Sequence, residues 1–376
     1  MIALIGVLAG SAQGIPIVST WPVAGGDESS AVAAAAFSGR YAVADSFEDT
    51  IEVRGIDPDV LIRSISRSEI MVLAAWMNLG GGPDGPSGMT WSDSGRFLFV
   101  LIHDDAFRGP GQASDVVLRY DAFEDEIHVF AELDLFNRGD AFPHLSAAHF
   151  RGRLYVGTSD AGIQIYRAAR SDDVGVALGS LASGSSVRGL AIDRGNAEDH
   201  EAVYLYAADL TTVYRMRLDD PAPVFETIGS FDDIQAIAYS DHYGGSGNEG
   251  LYILDTSGLH HLTPAQARGS DPFAPTLYFA GTEHDVAATA DGALLVGASE
   301  DALLLRDDTD PRLAFSDWIV DELDQLVLFA KGLVNPDGEP AGWVIDADRD
   351  VGSAGSGNSD RKNSGNSGRF PKGTRK

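Results

Sequence analysis

The chain has no cysteine, so disulfides, thiol nucleophiles and cysteine-ligated zinc sites are excluded at once. Positive charge is scarce as well: 27 Lys and Arg stand against 56 Asp and Glu, a net −29 over 376 residues. Such a surface repels nucleic acid and anionic lipid, which excludes a general polyanion binder and leaves neutral or cationic partners. Long apolar runs are missing too. No segment approaches the roughly 20 apolar residues a membrane span requires. Neither G-x-S-x-G nor H-E-x-x-H occurs, which removes the commonest hydrolase signatures.

What is present is ample material for a core, at 44% hydrophobic and 9% aromatic residues. The two ends differ from the body. The N-terminus reads MIALIGVLAGSAQG, with an apolar run from Ile2 to Ala12 and small Gly10 and Ala12 before Gln13. This pattern over residues 1–14 predicts a secretory signal and a secreted or periplasmic protein; a truncated leader or a buried first strand are the alternatives. At the other end, residues 357–376 carry Arg361, Lys362, Arg369, Lys372, Arg375 and Lys376 against Asp360, a net +5 that leaves −34 in the rest. Residues 346–376 are rich in Gly, Ser and Asn and poor in apolar side chains, so they are expected to stay disordered, whether as a solvated terminus or as a basic tether.

The body repeats itself. One pattern recurs six times: a short run of small and apolar residues, a turn, a second β-rich run and a closing acid. The copies read AAAAFSGRYAVAD (33–45), SGMTWSDSGRFLFVLIHD (87–104), LSAAHFRGRLYVGTSD (145–160), RGLAIDRGNAEDHEAVYLYAAD (188–209), QAIAYSDHYGGSGNEGLYILD (235–255) and DVAATADGALLVGASE (285–300). Successive closing acids lie 59, 56, 49, 46 and 45 residues apart, in the range of propeller repeats. A third alternating run follows each acid, at Thr50–Val53, Val116–Tyr120, Ile163–Tyr166, Val213–Met216, Leu259–Leu262 and Ala302–Leu305. A fourth follows in several copies, as at Glu126–Ala131 and Val224–Ile228.

Four antiparallel strands per unit make a blade that is apolar on both faces, so the units must stack radially and close into a ring. The sequence therefore predicts an all-β, six-bladed β-propeller over residues 15–310. The stretch from Ile15 to Val23 supplies a closing strand for the sixth blade. A seventh blade is the alternative, because Leu61–Leu79 holds enough apolar residues for extra strands. Within 311–345, Phe315, Ile319, Leu323, Leu326 and Phe329 recur at helical spacing after a capping Ser316 and before Gly332. That helix either packs on the propeller's flank or begins a second domain.

AVADSFEDTIEV resembles the NHL type of repeat, and SGRFLFV, RGRLYVG and DGALLVG resemble the strand-turn-strand core of YVTN- and TolB-like propellers, over roughly residues 31–306. The resemblance implies architecture; propellers of this kind include enzymes, ligand binders and scaffolds.

The closing acids Asp45, Asp104, Asp160, Asp209, Asp255 and Glu300 are read as turn acceptors, because the repeat disperses them around a ring where no two or three can share a metal. Asp346, Asp348 and Asp350 stand at the first positions of a calcium loop, but Val351 replaces its Gly and Gly357 its Glu, so calcium is only weakly indicated as a cofactor and no metal ligand is assigned. Gly80–Gly88 lacks the Lys and helix of a phosphate loop and reads as a rim loop. His260 and His261 are neighbours in a strand and face opposite ways.

Function is sought where the copies disagree, at the start of each first run, which surrounds one mouth of the channel. Ser87, His144, Arg188, Asp233, Gln235, His284 and Asp285 fall there, while the first repeat offers Val32 and Ala33. His144, Arg188 and His284 are the catalytic candidates, since His moves protons near neutral pH and Arg holds carboxylates. Ser87, Asp233, Gln235 and Asp285 are the ligand-binding candidates. Three functions fit: a monomeric, exported binding module for a small, carbohydrate-like ligand or a protein; a lactone hydrolase or acidic-sugar lyase; or the N-terminal propeller of a larger protein.

Overall fold

The computed structural model describes residues 17–22, 29–35, 39–45, 48–55, 60–74, 85–103, 115–133, 146–158, 162–181, 186–194, 203–241, 249–281, 284–289, 293–298 and 301–305. The expected helix at 315–333, the calcium-like aspartates, the basic tail and His144 lie outside them, as do Asp104, Asp160 and Glu300.

A first strand, β1 (Ile17–Pro22), is followed by six units. Blade one is β2 (Ser29–Ala34), β3 (Arg40–Asp45), β4 (Thr50–Gly55) and β5 (Val60–Ile65), trailed by a short helix α1 (Arg67–Leu73). Blade two is β6 (Gly85–Trp91), β7 (Phe97–His103), β8 (Asp115–Asp121) and β9 (Glu126–Leu133). Blade three is β10 (Ser146–Phe150), β11 (Arg153–Thr158), β12 (Gly162–Arg167) and β13 (Ala177–Leu181). Blade four is β14 (Gly189–Asp193), β15 (Tyr204–Ala208), β16 (Thr212–Arg217) and β17 (Glu226–Ser230). Blade five is β18 (Ala236–Ser240), β19 (Gly250–Asp255), β20 (Gly258–Leu262), a five-residue helix α2 (Pro264–Arg268) and β21 (Thr276–Phe279). Blade six is β22 (Asp285–Ala288), β23 (Leu294–Gly297) and β24 (Asp301–Leu305), with β1 paired antiparallel to β24 as its fourth strand.

The protein is thus a six-bladed β-propeller. Each unit is a four-stranded antiparallel sheet, and the inner strands β2, β6, β10, β14, β18 and β22 are neighbours in that order, with β22 returning to β2. The region considered for a seventh blade is used otherwise. Val60–Ile65 is the outer strand of blade one, and α1 follows it, started by Ser66 and Glu69 in a capping box that satisfies its first amides. Gly85 to Gly88 also differ from expectation: they form the start of β6 rather than a loop, with a register shift between Pro86 and Gly88 that accommodates a residue lacking an N–H.

Strand alternation explains why the ring holds. In β7, Leu98, Val100 and Ile102 pack toward blade one, while Phe97, Phe99 and Leu101 pack toward blade three. In β19, Leu251 and Ile253 face blade four, while Tyr252 and Leu254 face blade six. Every one of the six interfaces therefore has its own apolar core, made by two adjacent blades. Each fully buried Phe or Leu contributes about 1.5–3 kcal/mol.

The closing acids behave as turn acceptors wherever they are described. Asp45 Oδ1 accepts from Glu48 N at 3.0 Å, Asp209 Oδ1 from Thr211 and Thr212 N at 2.9 and 2.8 Å, and Asp255 Oδ1 from Ser257 N at 2.8 Å. The turn after Asp255 ends on Gly258 at φ 130°, where an added Cβ would stand 2.3 Å from the Phe279 carbonyl oxygen, so glycine is required there.

The interface between blades six and one is the thinnest among the described residues, with Val32, Tyr41 and Val43 set against Ala293, Leu295, Ala302 and Leu304. A polar contact reinforces it. Asp285, first residue of β22, accepts the Val32 N–H of β2 at 2.8 Å and its neighbour's Val286 N–H at 2.8 Å. Asp285→Ala removes an acceptor from a half-buried amide at the point of closure, and should lower stability by about 1–3 kcal/mol in urea unfolding. An unchanged midpoint would show that closure does not depend on this contact.

Candidate functional site

The two rims of the ring carry different chemistry. At the leading rim, where inner strands begin, the structure places six of the seven sequence candidates. Arg188 immediately precedes β14, and its backbone N–H donates to Ala208 O at 2.7 Å, which fixes its direction. Its Nη1 donates to Asp233 Oδ1 at 3.0 Å, joining blades four and five. Asp233 sits at φ 53°, a conformation uncommon for a non-glycine residue. Gln235 steadies that turn, donating from Nε2 to the Asp233 carbonyl at 3.0 Å and from its backbone to Leu254 O at 2.8 Å.

The other candidates lie in blades two and six. Ser87 donates its hydroxyl to Leu101 O across the hairpin at 3.4 Å. His284 is fixed through its N–H to Gly297 O at 2.8 Å, and Asp285 uses Oδ2 on Val32 N of blade one and Oδ1 on Val286 N of its own strand. Burial pushes the Asp285 carboxyl up to about 7, against the pull of the Val32 and Val286 amides. Only Arg188, Asp233 and Gln235 are therefore shown joined to one another, and they come from two adjacent blades. In blade one the inner strand begins at Ser29, before the Val32 and Ala33 expected from the sequence.

At the trailing rim, where inner strands end, lies a buried ionic cluster that sequence reading missed. Asp93 follows β6, His149 lies in β10, Arg194 follows β14 and Asp241 follows β18. Arg194 donates from Nη1 to Asp241 Oδ2 at 2.8 Å and from its backbone to Oδ1 at 3.2 Å. Its Nη2 reaches Asp93 Oδ1 at 3.4 Å, and Arg151 N donates to Asp93 Oδ2 at 2.7 Å. Blades two, three, four and five are tied together. Beside this, Arg268 of α2 grips Asp193 through Nε at 2.6 Å and Nη2 at 3.0 Å.

His149 is part of the packing here. Its Nδ1 lies 3.2 Å from the Asp93 N–H and 3.4 Å from Asp93 Oδ2, and its Nε2 lies 3.3 Å from the Ala168 carbonyl. The imidazole stacks on Phe99 at 5.8 Å and 9°. Both nitrogens thus have protein neighbours, and the ring itself is buried. The signal that could have found this cluster was present: WSDS, HFRG, IDRG and YSDH each put a charged or imidazole side chain at the end of the first run.

Among the described residues, no group of three or more His, Asp or Glu is arranged to hold a metal ion, and no helix is long and apolar enough to cross a membrane. The chain matches no family model and no curated protein. Among solved structures, the WD40 β-propeller domain of Doa1 is similar to it, with 11% identity over 79% of this chain and 98% of that one and a TM-score of 0.44.

Two outcomes follow for the trailing cluster. Removing Arg194 strands two carboxylates, and Arg194→Ala should destabilise by about 3–5 kcal/mol, read by chemical denaturation; a loss under about 1 kcal/mol would mean that the carboxylates find other partners. The second concerns pH. Burial pushes the Asp241 carboxyl up to about 7; Arg194 opposes this and Asp193 adds to it. Asp241 and Asp285 both have folded values above the ordinary 3.8, so between about pH 4 and 7 the folded state holds protons that the unfolded chain has released. Their contribution falls as pH rises through that window and is flat above it. A variant with Asp241→Asn and Asp285→Asn should gain stability relative to wild type from pH 4 to 7, measured as the difference in unfolding free energy. A pH-independent difference would contradict the assignment.

Proposed function

We propose that the protein is an exported binding module whose leading rim takes a small, polar, carbohydrate-like ligand. The observation that carries this reading is the unlikeness of the two rims. Trailing-rim charges are engaged with one another across four blades and are buried, with Asp93 at 0%, Asp241 at 11% and Arg194 at 15% side-chain exposure. At the leading rim the acid of the pair stands open, Asp233 at 45% side-chain exposure, while Arg188 at 19% is covered about as far as Arg194. Polar groups left accessible at a channel mouth and converging from separate blades are what a ligand site needs. Export rests on the apolar Ile2–Ala12 run, and the NHL-, YVTN- and TolB-like hairpins fit a binding role as well as they fit any other.

An acid–base enzyme at this rim would bring a histidine against Arg188; among the described residues, which do not include His144, the arginine's side-chain partner is Asp233. Binding is the better supported chemistry. The test is a glycan array combined with a thermal-shift screen of wild type and Arg188→Glu, which sets a second negative charge against Asp233. At least one glycan should bind wild type and raise its Tm at millimolar concentration, and the variant should lose that response while still unfolding in one cooperative transition in the absence of ligand. A blank array and no shift at millimolar ligand would overturn the proposal.

A further inference from the structure

We infer that the leading-rim ligand is a neutral sugar that presents a vicinal diol to Arg188 and Asp233, and that acidic sugars are discriminated against. This rests on the binding function proposed above and specifies its chemistry.

The argument is an account of bonding atoms. Among the described residues Arg188 makes one side-chain hydrogen bond, from Nη1, which leaves Nε and Nη2 without a partner there. Asp233 accepts that bond on Oδ1, and its Oδ2 has no partner among the described residues. Gln235 uses its Nε2 on the Asp233 carbonyl, and its Oε1 has no partner among the described residues. Other arginines of the fold set two donors, Nε and Nη2, on one carboxylate, as Arg96 does on Asp121 and Arg268 on Asp193. The pair at the rim is half used, with donors and acceptors side by side.

That alternation selects among ligand classes. A hydroxyl both donates and accepts, so two adjacent hydroxyls can take N–H bonds from Arg188 while giving O–H bonds to Asp233 Oδ2 and Gln235 Oε1. A carboxylate only accepts. It would satisfy Arg188 bidentately, but would place its charge against Asp233 on a body of net charge −34 outside the basic tail. An ammonium group only donates, and it meets the Arg188 charge. The backbone at Asp233, a non-glycine residue held at φ 53° with its carbonyl bonded by Gln235, sets the position from which the carboxylate projects beside Arg188.

Saturation-transfer NMR titrations of the full chain with methyl α-glucoside, methyl α-galactoside, methyl α-mannoside and the corresponding uronates test the inference. At least one neutral glycoside should bind, with its uronate at least tenfold weaker. Arg188→Ala and Asp233→Ala should each weaken the neutral glycoside tenfold or more, with unfolding midpoints close to wild type. Asp233→Asn should bring the uronate level with the neutral sugar, because the repulsion is removed and a polar group is kept. If wild type binds uronates as tightly as neutral glycosides, or if binding survives both alanine variants, the diol assignment falls while the binding function stands. If no sugar binds, both fall.

Discussion

A β-blade with apolar side chains on both faces has no stable life alone, and this requirement for a neighbour on each side governs the molecule. Residues that alternate along β7 belong to two different cores, Leu98 to one and Phe99 to the next, so no blade can be removed without exposing two interfaces. Closure is then a necessity. It brings the thinnest described core to the place where the ends of the repeat array meet, and there Asp285 adds a hydrogen bond to the Val32 amide.

Where packing alone does not settle the arrangement of blades, buried ions do. Arg119, in β8 of blade two, sends its guanidinium to the carbonyls of Arg170, Ser171 and Asp173 in blade three, and lies over Phe97 and Phe130 at 5.1 and 5.7 Å. Burial pushes the guanidinium down from its ordinary value while the nearby Asp121 and Asp173 pull it back. Arg194 acts similarly at the trailing rim. Both are directional contacts between blades that apolar surfaces, being non-directional, could not specify.

How much of this was legible in the sequence follows from distance along the chain. Elements defined by local rules were readable: the third runs coincide with β4, β8, β12, β16, β20 and β24, and the closing Asp45, Asp209 and Asp255 do bind their own turns. The outer strand β13, ALGSL, was not, because four of its five residues are exposed and no apolar alternation marks it. Leu61–Leu79 looked like surplus strand because Val60, Leu61 and Ile62 are apolar yet about half exposed, which periodicity does not reveal. Contacts between blades left no local trace. Arg188 and Asp233 were both singled out, 45 positions apart, but their pairing depended on how two adjacent repeats sit.

The same logic separates the two rims. At the trailing rim the charged groups are deep, and a buried charge is tolerable only if its bonds are made within the protein, so the cluster is consistent with a structural role and has little to offer a ligand. At the leading rim Asp233 keeps enough contact with water that its unmade bonds cost little, while Arg188 beside it is largely covered. A site that must exchange water for ligand has to keep such bonds in reserve, and in this ring the accessible, half-used pair stands where neighbouring repeats differ most in sequence. The repeated residues build the ring, and under the binding function proposed above the unrepeated ones choose its ligand.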